Sequence, residues 1–137
     1  MDPSMKTLRT LSTPLLIACL ATVSACSSQR EAPPAPPADD AQVLAEHTFD
    51  EGLRAYEAGN YYLAEQTFLS PAIWRADAQV QLKALKYLAF SYCVTERPIQ
   101  CRFAFDRALQ IDPTFHLGTS EASHPLWGPV FVQAARR

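Results

Sequence analysis

Residues 45–68 read AEHTFDEGLRAYEAGNYYLAEQTF, and this stretch decides the fold. Up to residue 58, apolar or small side chains recur every three or four positions, which is the spacing of one face of an α-helix. Gly59 and Asn60 then interrupt the pattern as a helix stop followed by a helix N-cap. A second helix is expected over residues 61–69, before the Ser-Pro pair at 70–71. The stretch therefore predicts two helices joined by a tight turn.

A second helical pair is predicted further along the chain. Asp77 can cap a long helix whose apolar positions continue to Tyr92, and residues 95–98 form the next turn. Pro98 suits the first position of the following helix, which carries Phe103, Phe105, Ala108 and Leu109. No stretch in this region alternates apolar and polar residues as a strand does. The predicted fold class is therefore all-α.

The two helical pairs resemble tetratricopeptide repeats (TPRs). Residues 45–78 and residues 82–115 align with each other at a spacing close to the family's period of about 34 residues. The residues that match the family are Gly52, Ala64 and Phe68 in the first pair, at its small, small and aromatic positions, and Leu88, Ala89, Tyr92, Phe105, Ala108, Asp112 and Pro113 in the second. The resemblance implies two antiparallel helix hairpins in which the small residues let the helices approach closely.

The TPR pattern has departures, and the chain continues beyond it. Pro71 and Cys101 stand where the family has small residues, and extra residues fall in the connection at 70–74. After a loop at 116–123, a short last helix is expected. A repeat stack needs a terminal element over its exposed apolar end. The expected capping residues are Trp127, Val130 and Phe131, although an exposed Trp127 at a binding site is the alternative.

The N-terminal segment has the pattern of a secretory signal. Lys6 and Arg9 precede an apolar stretch at residues 14–23, which has the length of a signal-peptide core and is too short to span a bilayer. The stretch ends in Val-Ser-Ala-Cys at residues 23–26, which resembles the lipobox of bacterial lipoproteins. The resemblance implies cleavage before Cys26 and acylation of its thiol, with no other cofactor.

Three alternatives bear on this segment. Residues 16–19 (Leu-Ile-Ala-Cys) also fit the lipobox, but cleavage there would leave an apolar stub on the mature chain. An ordinary signal peptide cleaved near Ala25 would carry no lipid. Met5 is an alternative start to Met1, because Asp2 is unusual in the basic part of a signal.

These features divide the chain into three parts. We expect a signal peptide at 1–25, an acylated cysteine with a Pro-rich linker at 26–40, and a helical domain at 41–137. The linker has little to bury, and its prolines favour extended conformations that span about 40 Å. A proline-motif ligand is the alternative for this segment. By resemblance to lipoprotein sorting, Ser27 implies an outer-membrane protein that faces the periplasm.

Two cysteines remain in the helical domain. Cys93 and Cys101 fall on either side of the predicted turn at 95–98, where the ends of two antiparallel helices meet. In an oxidising compartment we expect a disulfide. A zinc pair would need two more ligands, and a redox couple usually has closer spacing.

The composition argues against several function classes. After removal of residues 1–25, 10 basic and 13 acidic residues remain without a basic cluster, so a nucleic-acid partner is not expected. No nucleophile with a base, paired carboxylates, metal set or phosphate loop is apparent, and we predict that the protein is not an enzyme. Glu121 and His124 are three residues apart but have no third partner.

The TPR resemblance instead implies binding of a peptide in an inner groove lined by the first helix of each hairpin. Its groove positions carry over to six residues that we call the inner groove: Phe49, Leu53, Tyr56, Lys83, Lys86 and Phe90. Two lysines beside aromatic rings would suit an acidic or carboxylate-bearing peptide. The alternative is that Leu53, Phe90 and Val94 pack against the terminal helix and leave no open groove.

The expected function is a membrane-anchored protein–protein interaction module. Lipoproteins of this build resemble accessory factors of envelope machines, such as pilotins that escort secretins and lipoproteins of type VI secretion systems. The expected partner is another envelope protein or peptide, with the membrane reached through the lipid. The alternative is a structural scaffold lipoprotein of the envelope without a cargo groove.

Overall fold

The structure, a computed structural model, describes residues 37–136. Within that range all regular secondary structure is α-helical, which confirms the predicted fold class. The helices are α1 (Ala38–Glu57), α2 (Tyr61–Phe68), α3 (Pro71–Arg75), α4 (Ala78–Val94), α5 (Pro98–Ile111), α6 (Thr119–Ala122) and α7 (Gly128–Ala135). The predicted signal peptide at 1–25 and the predicted lipidation site, Cys26, lie outside the described residues.

Helices α1 and α2 form the first helical pair. The turn between them contains Gly59 at φ 76°, a conformation that favours glycine. Asn60 Oδ1 accepts a hydrogen bond from the backbone N–H of Leu63 (3.3 Å), so Asn60 is the N-cap predicted from the sequence. Gly52 lets the helices approach closely, since a Cβ there would lie 2.5 Å from the Phe68 ring.

The connection after α2 is itself helical. The Ser70 hydroxyl accepts a hydrogen bond from the backbone N–H of Ala72 (3.3 Å), and Pro71 is the first residue of α3. Ile73 of α3 is fully buried. The extra residues predicted around 70–74 are therefore a short helix, because a proline that ends one helix is well placed to begin another.

Helices α4 and α5 form the second pair. Asp77 Oδ1 accepts a hydrogen bond from the backbone N–H of Val80 (3.0 Å), and Pro98 is the first residue of α5, both as predicted. Cys93 near the end of α4 and Cys101 in the first turn of α5 form a disulfide, with their Cα atoms 5.3 Å apart. The predicted cysteine pair therefore joins the two helices beside their turn.

A continuous aromatic core connects the two pairs. The Tyr87 ring on α4 lies 6.0 Å from Phe49 and 6.2 Å from Phe68, centroid to centroid, and 5.8 Å from Phe90. Phe90 continues the contact to Phe105 on α5 at 6.2 Å. Helices α2 and α4 pack against each other, so the core runs through both pairs.

The C-terminal helix covers one side of the second pair. Helix α7 packs on α5, and the Phe131 ring lies edge-on to Phe105 at 5.2 Å. Trp127 is also buried. The predicted capping role of this segment is confirmed. At the other end, α1 begins at Ala38, so the helix includes three residues that we had assigned to the linker.

Candidate protein-binding surface

The residues predicted for the inner groove do not form one exposed surface. Phe49 is 9% exposed and Phe90 is 2% exposed, and both belong to the hydrophobic core. Leu53 and Tyr56 are half-buried and pack against that core. A ligand therefore cannot reach Phe49 or Phe90 in this arrangement, because the space in front of them is filled by the chain itself.

Phe49 packs on the Phe68 and Tyr87 rings, whereas Phe90 is covered by a segment that we call the C-terminal strap, residues 118–128. The Trp127 ring stacks on the Phe90 ring with centroids 4.2 Å apart. The His124 ring also stacks on Trp127, with centroids 3.4 Å apart. The indole Nε1–H of Trp127 donates to the backbone oxygen of Glu121 (2.8 Å). The strap is thus fixed by stacking and by a hydrogen bond.

An ion pair joins the strap to α4. Lys86 Nζ lies 2.7 Å from Glu121 Oε1, and the backbone N–H of Gly118 donates to Glu121 Oε2 (2.9 Å). Burial alone would raise the pKa of Glu121, but these two hydrogen bonds and the Lys86 charge outweigh it and lower the pKa below 4.5. Glu121 is therefore a carboxylate that holds Lys86 at neutral pH.

The other predicted lysine is open to solvent. Lys83 is exposed and lines a cavity of about 250 Å³ together with Lys86, His116 and Asp112. The Asp112 carboxylate accepts hydrogen bonds from the hydroxyl and backbone N–H of Thr114. Binding of an acidic peptide at Lys83 and Lys86 stays a prediction, with Lys86 already paired.

Tyr56 shows how closed this side of the domain is. Its ring makes edge contacts with Tyr61 at 5.4 Å and Tyr87 at 5.2 Å. Burial, reinforced by the neighbouring Tyr61, Tyr87 and Glu121, raises the pKa of Tyr56 to about 12. The hydroxyl therefore stays neutral at physiological pH and acts as a packed aromatic residue.

A different face of the domain carries an open apolar surface, which we call the lateral valley. It runs between α3 and α5 across α4 and has a volume of about 540 Å³. Its floor and walls are formed by Leu69, Trp74, Leu85, Leu88, Tyr92 and Phe103, with Gln81, Gln100, Ala104 and Arg107 at the edges. Leu85 and Leu88 are buried in the floor, whereas Leu69 and Phe103 are exposed walls.

Sequence reasoning did not find this valley. Phe103 and Phe105 both lie on the helix predicted to begin at Pro98, and in the structure Phe103 is 66% exposed whereas Phe105 is fully buried. The two rings are two residues apart, so they point to opposite sides of a helix. The sequence pattern that could have indicated the exposure of Phe103 is its position on the polar side of α5, opposite Phe105.

The chain offers few other functional features. In the range 37–136 no cluster of His, Cys, Asp and Glu is arranged to hold a metal ion. None of the helices there is both long and apolar enough to cross a membrane. No family model, curated protein or solved structure matches this chain. The site is therefore argued from geometry alone.

Proposed function

We propose that this protein is a lipid-anchored protein-binding module, an accessory or assembly factor of an envelope or secretion machine. In this proposal Cys26 carries the lipid at the periplasmic face of the outer membrane, and the Pro-rich linker holds the helical domain clear of the headgroups. The domain then binds another envelope protein. The single observation that carries the binding role is the lateral valley.

The valley supports binding because it combines depth with exposed apolar walls. A concave surface with an apolar floor can receive an apolar side chain of a partner. Trp74 and Tyr92 add aromatic side chains, which are enriched at the centres of protein interfaces. We propose that the partner contacts this valley rather than Phe49 and Phe90 of the inner groove.

We also propose that the two helical pairs are TPR-like hairpins. Support comes from residues that occupy equivalent positions in the two pairs when the pairs are aligned on the TPR pattern. Phe68 and Phe105 are both fully buried, and so are Ala64 and Cys101. Equivalent burial at equivalent positions is what a repeated helix hairpin requires.

The second candidate is a structural scaffold without a cargo groove. It is favoured by the burial of Phe49 and Phe90 and by the ion pair from Lys86 to Glu121, which close the inner groove. The two functions differ in what the lateral valley does, because a scaffold needs no partner there.

Site-specific crosslinking in intact cells separates the two. A photoreactive residue at position 103 should capture a defined envelope protein, whereas the same residue at Tyr62, which is equally exposed on α2, should not. The Lys83→Glu, Lys86→Glu double variant tests the inner groove in the same experiment. If positions 103 and 62 capture the same set of proteins, the binding role of the valley is wrong.

The anchor is tested separately by lipid labelling. Cys26→Ala should abolish incorporation of a fatty-acid label, and Cys19→Ala should leave it unchanged. Labelling that persists in Cys26→Ala would show that Cys26 is not the lipidation site.

A further inference from the structure

Helix α5 carries a stripe of three side chains along its outer side. Ile99, Phe103 and Arg107 are four residues apart in turn, so they stand above one another over about 12 Å of helix. Ile99 is 69% exposed and Phe103 is 66% exposed. We call these three residues the α5 stripe. It presents two apolar groups followed by one cation.

The apolar part of the stripe borders concave surface on both sides. Phe103 is a wall of the lateral valley and also of a second concavity of about 470 Å³ that Ile99 and Arg102 line. A partner lying along α5 could therefore place side chains on both sides of the Phe103 ring. The buried floor residues Leu85 and Leu88 would receive an apolar side chain that enters the valley.

At the cationic end of the stripe, Arg107 pairs with no carboxylate of the described residues 37–136. Arg97 Nη2 lies 2.6 Å from Glu65 Oε2, and Arg102 Nε lies 3.7 Å from Asp106 Oδ2. Arg107 instead makes a 3.4 Å hydrogen bond to the amide oxygen of Gln110, and no ion pair of Arg107 occurs within residues 37–136. A partner carboxylate would complement this guanidinium.

We propose that the α5 stripe binds an amphipathic α-helix of another protein. This helix carries two apolar side chains one turn apart, which pack on Ile99 and Phe103, and an Asp or Glu that pairs with Arg107. The inference rests on the proposed binding function and names the partner's chemistry. A helix fits because its side chains at i and i+4 repeat at the same interval as the stripe, so its ridges can enter the valley beside α5.

Two synthetic peptide probes test this directly. Both are Ala-rich helices with leucines at two positions four residues apart; one has Glu a further turn along, and the other has Lys there. Binding to the full chain, purified in mild detergent, is measured by fluorescence anisotropy. The Glu probe should bind the wild type about 2- to 5-fold more tightly than the Lys probe, the range of a partly exposed ion pair.

Variants of the chain assign the contacts. Arg107→Glu should reverse the preference, so that the Lys probe binds more tightly than the Glu probe. Phe103→Ala should weaken both probes about 10-fold, as loss of a central aromatic contact does. Tyr62→Ala is the matched control, since Tyr62 is a similarly exposed aromatic residue elsewhere, and it should change neither affinity. These variants alter exposed side chains and should fold normally.

Several outcomes would overturn the proposal. Equal binding of the two probes to both the wild type and Arg107→Glu would refute the proposed pairing of a partner carboxylate with Arg107. Unchanged binding in Phe103→Ala, or no binding at about 1 mM peptide, would refute the α5 stripe as the binding surface. Self-association of the chain that Phe103→Ala abolishes would make a second copy the occupant. If the probes fail while crosslinking at position 103 captures a protein, the binding function stands and only this partner chemistry is wrong.

Discussion

Removal of the Cys93–Cys101 disulfide should lower the free energy of unfolding by about 2.5 kcal/mol. The two cysteines are separated by 8 residues in sequence. In the chain-entropy model a closed loop of that size restricts the unfolded chain by about 2.5 kcal/mol at 25 °C. For a domain of about 100 residues, such a loss lowers the Tm by roughly 10–20 °C. The bond therefore supplies a large share of the 5–15 kcal/mol typical of a small domain.

The assay is urea unfolding of the full chain followed by circular dichroism. Wild type is measured with and without a thiol reductant, and the double variant Cys93→Ala, Cys101→Ala is measured in the same way. The reductant should destabilise the wild type and leave the double variant unchanged. Because Cys101 is fully buried, its replacement also removes packing contacts. The variant should thus be somewhat less stable than reduced wild type.

The comparison also separates the two causes. The shift on reduction of the wild type measures the crosslink, and the further difference to the double variant measures packing. A reductant-induced loss below about 1 kcal/mol would refute the loop-entropy reasoning. A loss that also appears in the double variant would show that the reductant acts elsewhere.

Three further predictions follow from the fold and the strap. Phe68→Ala removes a fully buried ring and should cost about 3–5 kcal/mol in urea unfolding; a cost under about 1 kcal/mol would contradict its place in the core. Gly59→Ala puts a Cβ on a residue at φ 76° and should cost about 1 kcal/mol, whereas Ala58→Gly, outside the strained position, should not reproduce the effect through backbone strain. The pKa of Glu121 is lower in the folded chain than its ordinary 4.5, so its contribution to stability is present above pH 4.5 and is lost as the pH falls through the folded value. Glu121→Gln should flatten this part of the stability–pH curve, and an unchanged acid dependence would argue against the Lys86 pair.

The helix boundaries that could be predicted are those set by local chemistry. Asn60 and Asp77 accept a hydrogen bond from a backbone N–H of the first turn, and Pro98 lacks the N–H that a first helical residue leaves unpaired. These signals act within four residues, so they can be interpreted without the rest of the fold. The short helix α3 follows the same rules at Ser70 and Pro71 but was taken for a connection.

The surfaces could not be predicted in the same way, because they depend on what packs from a distance in sequence. Phe90 has the position of a groove residue in the TPR pattern, yet Trp127 covers it from 37 positions further along. Phe103 is as apolar as a core residue, yet it is 66% exposed. Only the tertiary structure distinguishes a covered aromatic residue from an open one.

The α5 stripe lies on a side of α5 where Ile99 and Phe103 are exposed. Helix α5 already has neighbours on two sides, α4 through the disulfide and α7 through Phe105. On the third side, a polar residue at Ile99 or Phe103 would leave those contacts intact. We propose that burial against another molecule accounts for the stripe, with Arg107 at its end as the contact for a carboxylate of that partner.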